Sequence, residues 1–256
     1  MNATLTGLGL ALIAALIAAL VGPFFIDWGH YRSTFEEQAG RIAGVPVQVV
    51  GPVEARLLPS PRIRFGHVRI GREGSPAQLN ADDFTLDLAL APLLSGDYRV
   101  TKLTLSGVDV TAAVAEDGTL DLPLGAGLPR DELDRISIDE VAVNGGRIAL
   151  ADPAAGRTLV ADGLSISGQA SALSGPLKLD ATGSANGASF RLAVSSGAFQ
   201  NGAGRVKIVL QGPSLPVVDV DGLLSMPEGR PALDGKLSVT PVAGFSGTPW
   251  RVAGQI

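Results

Sequence analysis

Residues 84–90 read Phe84-Thr-Leu-Asp-Leu-Ala-Leu90, with Phe84, Leu86, Leu88 and Leu90 alternating with Thr85, Asp87 and Ala89. Successive side chains of a strand point to opposite faces, so this spacing predicts a strand with one apolar side. The same period of two extends in both directions. Upstream, Val45, Val47 and Val49 alternate, and Leu57-Leu58-Pro59-Ser60-Pro61 predicts a rigid corner. Ile63 and Phe65 share one parity and Val68 and Ile70 the other, so the phase jump at Gly66-His67 predicts a β-bulge. Downstream, Leu103 and Leu105 give way to Val108 and Val110 with a second phase jump at Gly107, and Asp117-Gly118 signals a hairpin turn.

A second unit begins near Leu133. Ile136 and Ile138 lead to Val141 and Val143, Asn144-Gly145-Gly146 reads as a turn, and Ile148, Leu150, Leu164, Ile166, Leu177 and Leu179 continue the alternation. A third set holds Phe190, Leu192 and Val194, then Val206, Ile208 and Leu210, then Val218, Val220, Leu237 and Val239. Segments 103–110 and 138–148 both read strand, glycine, strand. No strand after residue 100 is followed by a ten-residue amphipathic helix, the nearest candidate being Pro129 to Arg135. An antiparallel meander is therefore expected rather than parallel βαβ units.

The N-terminus differs. The first charged side chain is Asp27, and Gly7 to Ile26 reads GLGLALIAALIAALVGPFFI. Twenty helical residues span roughly 30 Å, the thickness of a bilayer's hydrocarbon core. No Lys or Arg precedes the run, and bulky Phe24-Phe25-Ile26 stands where a signal peptidase needs small residues. The expectation is an uncleaved anchor over 7–27 behind a cap of residues 1–6, with Trp28 and Tyr31 in the membrane-interface belt. Ser33 to Gly44 follows as a short helix capped by Ser33 or Thr34 and stopped by Gly44 and Pro46, so residues 28–44 form a juxtamembrane unit and 45–256 the β-rich body. Alternation still runs at Trp250 to Ile256, which predicts a sheet awaiting a further strand. By positive charge alone, Arg32 and Arg41 would place the body in the cytoplasm.

Composition narrows the chemistry. A net charge of −5 argues against a nucleic-acid partner, and the absence of cysteine excludes disulfides, thiolate metal sites and cysteine nucleophiles. The two histidines, His30 and His67, lack a nucleophile elbow, and there is no P-loop, dinucleotide fingerprint or HExxH. Acidic pairs Glu36-Glu37, Asp82-Asp83 and Asp131-Glu132 suit helix starts and turns. A non-enzyme without catalytic, metal or cofactor-binding residues is the expectation. Aromatics make up only 5% of the chain, too few to fill a deep core, and helices to cover a sheet are nearly absent. A sheet with an aliphatic face can instead hold acyl chains, with Leu86, Leu88, Leu103, Leu105, Ile136, Ile138, Ile148 and Leu150 as the candidate lining.

Several segments in order resemble the N-terminal part of the AsmA family, related to bridge-like lipid-transfer proteins of the Gram-negative envelope. They are Phe25-Ile-Asp-Trp-Gly-His-Tyr-Arg32 with its helix, Arg56-Leu-Leu-Pro-Ser-Pro61, Leu88-Ala-Leu-Ala-Pro-Leu-Leu-Ser-Gly96, Leu103-Thr-Leu-Ser-Gly-Val-Asp-Val110, Asn144-Gly-Gly-Arg-Ile-Ala-Leu-Ala-Asp152 and Leu173-Ser-Gly-Pro-Leu177. Asp117-Gly-Thr-Leu-Asp-Leu122 departs from the family's Gly-x-x-Asn-Trp ending. The resemblance implies a single-pass inner-membrane protein with a periplasmic body, an elongated, curved, groove-forming antiparallel sheet, bound phospholipid and a role in phospholipid transport and outer-membrane assembly. It overrides the charge signal on topology and leaves room for envelope protein partners. The alternative is an anchored scaffold with a closed core and no lipid.

Overall fold

The computed structural model describes residues 27–58, 60–94, 97–115, 120–123, 134–153, 156–225, 232–241 and 252–255. The expected anchor, the Asp117-Gly118 turn, the Asp131-Glu132 pair and most of the Pro129 to Arg135 segment lie outside the described residues. Among those described, no helix is long and apolar enough to cross a membrane.

The chain enters through a 3-10 turn, Trp28–Tyr31, capped by Asp27, whose carboxylate accepts the Gly29 N–H at 2.9 Å. Helix α1, Arg32–Ala43, follows directly. The capping residue is thus Asp27, ahead of the expected Ser33 or Thr34, because the 3-10 turn feeds straight into α1 and Tyr31 at its start makes no side-chain cap bond. Gly44 closes the helix in the left-handed conformation at φ 70°, as the Gly-Pro ending predicts.

Everything else of size is strand. The order is β1 (Val47–Val49), β2 (Val53–Arg56), β3 (Arg62–Ile70), β4 (Gln78–Leu88), β5 (Tyr98–Ser106), β6 (Asp109–Val114), β7 (Leu120–Asp121), β8 (Ile136–Asp152), β9 (Arg157–Ala170), β10 (Leu177–Ala185), β11 (Ala188–Ser196), β12 (Ala203–Gly212), β13 (Leu215–Ser225), β14 (Ala232–Thr240) and β15 (Val252–Gln255). These form one 15-stranded sheet running β1-β3-β4-β5-β8 and then in sequence order to β15, with β2, β6 and β7 paired alongside. A five-residue helix α2, Leu90–Leu94, interrupts the first meander. Leu90 therefore belongs to α2 and not to the strand ending at Leu88. Pro92 tolerates a helix's first turn, where its missing N–H has no partner to lose.

Three sequence expectations change in register. Against β4 the predicted bulge at Gly66-His67 inserts no residue, since Gly66 pairs with Asp83 and Val68 with Ala81. The extra residue lies on the opposite edge, where Val50, Gly51 and Pro52 face only Gly66 and His67 between the Val49–Val68 and Val53–Phe65 pairs. His67 takes a left-handed backbone, φ 48°. Asn144-Gly145-Gly146 is not a hairpin turn either. β8 passes through it as a 17-residue strand, held on one side by β5 and β6 and on the other by β9. Finally, β5 and β6 both pair with β8 in parallel, whereas every other strand pair is antiparallel. The meander is otherwise as expected, and two turns unread in the sequence belong to it. Asn186-Gly187 and Asn201-Gly202 each place two successive residues at positive φ (49° and 80°, 53° and 77°), the conformation of a type I′ turn.

The phase jumps line up. His67, Gly107 (φ 61°), Gly145 (φ 70°) and Gly163 (φ 63°) fall at neighbouring steps of consecutive strands, with Asp82 between the first two. A Cβ on Gly107 would overlap the Asp82 carboxylate. Together they make a crease across β3, β4, β5/β6, β8 and β9. Leu105 and Leu103 on one side of it pack with Ala81, Val108 and Val110 on the other. The crease therefore keeps apolar residues of opposite parity on one face.

Candidate functional site

Directly opposed residues of neighbouring strands project to the same face, so the register assembles the faces residue by residue. One row reads Val53, Phe65, Phe84, Leu105, Val143, Ile166 and continues through Ala181, Leu192, Leu210, Val218 to Val239. The next row on that face starts Ala55, Ile63, Leu86, Leu103, Val141 and ends Ile208, Val220, Leu237, broken in aliphatic character only by Gly168. Each row crosses eleven strands, or about 48 Å at about 4.8 Å per strand step.

The other face is charged and ordered by cross-strand pairs. Arg62 donates to both oxygens of Asp87, and Arg64 donates to Asp83 at 2.5 Å. Arg99 meets Asp139 at 3.0 Å, Lys102 meets Glu140 at 2.8 Å and Arg205 meets Asp221 at 2.9 Å. The hydrogen bonds from Arg64 hold the Asp83 carboxyl below the ordinary carboxylate range against the opposing effect of burial. Arg205 does the same to the more open Asp221.

All eight predicted lining residues lie on the apolar face. Leu86 and Leu103 oppose each other in the second row, and Leu105 sits in the first. Leu88 and Ile138 flank Val100 in a third row, and Ile136 opposes Tyr98 beside it. Ile148 and Leu150 lie beyond the crease opposite Val110 and Ala112. Leu105 and Ile138 are each 9% exposed, whereas Ile148 is 37% exposed. Missing from the predicted lining is the continuation over β10 to β14. The alternation of Leu179, Leu192 and Ile208 carried that signal, and only register shows that these residues continue the rows of Leu86 and Leu105, while Leu177 continues the row of Ile138.

Nothing described roofs this face beyond its first strands. Every substantial contact between elements joins sheet neighbours, or joins α1, α2 or the 3-10 turn to β1, β5, β2 or one another. No side chain among the described residues is less than 2% exposed, as a single layer demands. The exception is the first end. There Trp28, Phe35, Ala39 and Ala43 pack on Val47, Val49, Val53, Phe65 and Val68. Phe35 meets Phe65 edge-on at 5.5 Å, and Phe65 meets Phe84 at 6.2 Å. Helix α1 thus plugs the start of the apolar face. Near the turns of β10–β11 and β12–β13, Gly183, Phe190, Arg191, Gly212, Leu215 and Pro241 line an open depression of about 720 Å³.

Of the two predicted interface aromatics, Tyr31 is 51% exposed, and the Trp28 ring lies 6.0 Å from it while reaching into the core. His30 Nδ1 lies 3.0 Å from Asp27 Oδ2, and His67 sits exposed at the crease. Glu36 is engaged with the Val49 N–H and Asp83 with Arg64. Among the described residues, no group of three potential ligands is placed to hold a metal.

No curated protein and no solved structure matches this chain. The AsmA family model matches residues 1–208, from the N-terminus into β12, and the chain belongs to the AsmA family.

Proposed function

We propose that this protein, anchored in the inner membrane by residues 7–27, shields phospholipid acyl chains on the apolar face of a periplasmic sheet and so contributes to phospholipid transport and outer-membrane assembly. The observation carrying this reading is the pair of apolar rows that cross eleven strands and, beyond the first strands plugged by α1, have no covering layer among the described residues. Uncovered apolar patches larger than a few hundred Å² mark binding surfaces. Family membership supports the same direction, since a role in envelope lipid transport or assembly goes with it. Transport would be passive. Each methylene taken from water contributes about 0.8 kcal/mol, and the head group stays wet at the margin of the rows. Curvature of the sheet into a groove would let opposite ends of a strand shield both flanks of a chain. No bond is made or broken, and neither catalytic residue nor cofactor is required.

Leu103→Asp, Leu192→Asp and Ile208→Asp combined put three charges into the two rows. The variant is expected to stay in the membrane fraction and lose phospholipid in native mass spectrometry from mild detergent. The wild-type protein retains it, as does a control with Thr104→Asp and Ser195→Asp on the charged face. Equal lipid in wild type and triple variant would overturn the reading and favour the scaffold alternative.

A further inference from the structure

We infer that the Val50-Gly51-Pro52 bulge, between β1 and β2 on the sheet edge, is a second membrane-contact site, held against the lipid surface near Tyr31 by a hydrogen-bonded clamp from α1. It rests on the anchor reading, because residues 7–26 end one residue before Asp27. Val50 is 64% exposed, the most of any large apolar side chain described, and Pro52 beside it is exposed. A bulge can enter a lipid interface only as far as its backbone polar groups are satisfied from within the protein. Here four of the five backbone polar groups of residues 50–52 are satisfied in that way. Val50 N–H donates to His67 O at 2.9 Å, Gly51 N–H donates to Gly66 O at 2.8 Å, and Pro52 has no N–H to satisfy. Pro52 O accepts from Gly66 N–H at 2.9 Å, and Gly51 O accepts from Arg32 Nη2 at 2.9 Å.

Arg32 directly follows Tyr31, and the 3-10 turn that ends at Tyr31 contacts β2, so the bulge lies on the side of the sheet where the chain enters. Glu36, one helical turn later, accepts the Val49 N–H at 2.6 Å and fixes the same strand from a second point. The clamp ties the first edge of the sheet rigidly to the segment leaving the bilayer. Exposed Arg56 at the end of β2, with Leu57 43% exposed after it, adds a cation and an aliphatic side chain suited to an anionic lipid surface. The apolar face would then begin at the membrane and not at the end of a flexible tether.

The chain has no cysteine, so single-cysteine variants of the full-length protein report one position each. Tyr31→Cys, Val50→Cys and Leu223→Cys carry an environment-sensitive fluorophore in phosphatidylethanolamine–phosphatidylglycerol vesicles with brominated acyl chains. Leu223 is the distant control, an exposed apolar residue on β13. Loss of emission at positions 31 and 50 but not 223 is expected, with Arg32→Ala restoring emission at 50 alone. Emission unquenched at 50 with 31 quenched, or quenching at 50 that survives Arg32→Ala, overturns the clamp. Quenching at 223 overturns the placement of the first edge of the sheet, and not of β13, at the membrane. Emission unquenched at both 31 and 50 overturns the anchor reading itself.

Discussion

Gly107 and Gly145 occupy the same step of the parallel β5/β6–β8 ladder, between the Ser106–Asn144 and Asp109–Arg147 partners, and both are left-handed. The Gly107 N–H donates to Asn144 O at 3.3 Å across this step. Two strands turned over together keep their pairing. A strand turned over alone would put its apolar residues on the charged face.

Gly107→Ala should therefore cost more than a glycine replacement at an open turn. A left-handed L-residue costs about 1–2 kcal/mol, and overpacking against Asp82 adds roughly 1–3 kcal/mol. Gly74→Ala, also at positive φ but with nothing near its Cβ, should show only the first component. Denaturant unfolding in detergent compares the two, and Asp82→Gly should recover part of the Gly107→Ala loss. Equal costs at the two glycines would mean that the crease is not tightly packed.

Phe65 is 8% exposed and stands between Phe35 and Phe84. Phe65→Ala is expected to lower stability by about 3–5 kcal/mol, with roughly 0.5–1.5 kcal/mol from each lost ring contact. Because Phe35 ties α1 to the sheet, Phe35→Ala should also increase proteolysis within residues 32–44 while leaving β10–β14 protected. Unchanged cleavage would show that Arg32, Glu36 and the Ala39 and Ala43 contacts hold α1 without Phe35.

The Arg64–Asp83 pair sets a pH dependence. The folded-state pKa of Asp83 is depressed by the Arg64 hydrogen bonds, so the unfolded chain binds more protons in acid. The stabilisation is fully present above the unfolded value of about 3.9 and is lost as pH falls through the lower folded value. As the pair is partly exposed, water screens it and its contribution is small. Asp83→Asn should flatten stability in that acid window and leave the slope near neutrality unchanged, as read by melting temperature against pH.

Ser196 Oγ is buried with no hydrogen-bond partner among the described residues, in the row between Leu177 and Val206. Removing an unbonded buried hydroxyl relieves its desolvation, so Ser196→Ala should be neutral or stabilising by up to about 1–3 kcal/mol. Destabilisation would reveal a partner for the hydroxyl.

Much of the apolar lining was legible because a period of two names the residues on one side of each strand. Phase jumps at Gly66-His67 and Gly107 were legible too, as breaks in that period. Their form was not: an inserted residue and a left-handed flip disturb parity alike, and only the partner strand tells them apart. Asn144-Gly145-Gly146 misled because its composition suits a hairpin, while partners on both sides keep β8 extended. Asn186-Gly187 and Asn201-Gly202 carried a clear turn signal that went unused.

From its sequence alone, this protein's strand-rich body, its entry helix ending at Gly44, its lack of thiol chemistry and its family resemblance could be read. All are properties of local conformation or composition. Tertiary structure decided the parallel docking of β5 and β6 on β8, the joining of eleven strands' apolar sides into rows interrupted only at Gly168, and the lack of a second layer beyond α1 among the described residues. Periodicity says which side of a strand avoids water. What lies against that side depends on contacts between residues far apart in the chain.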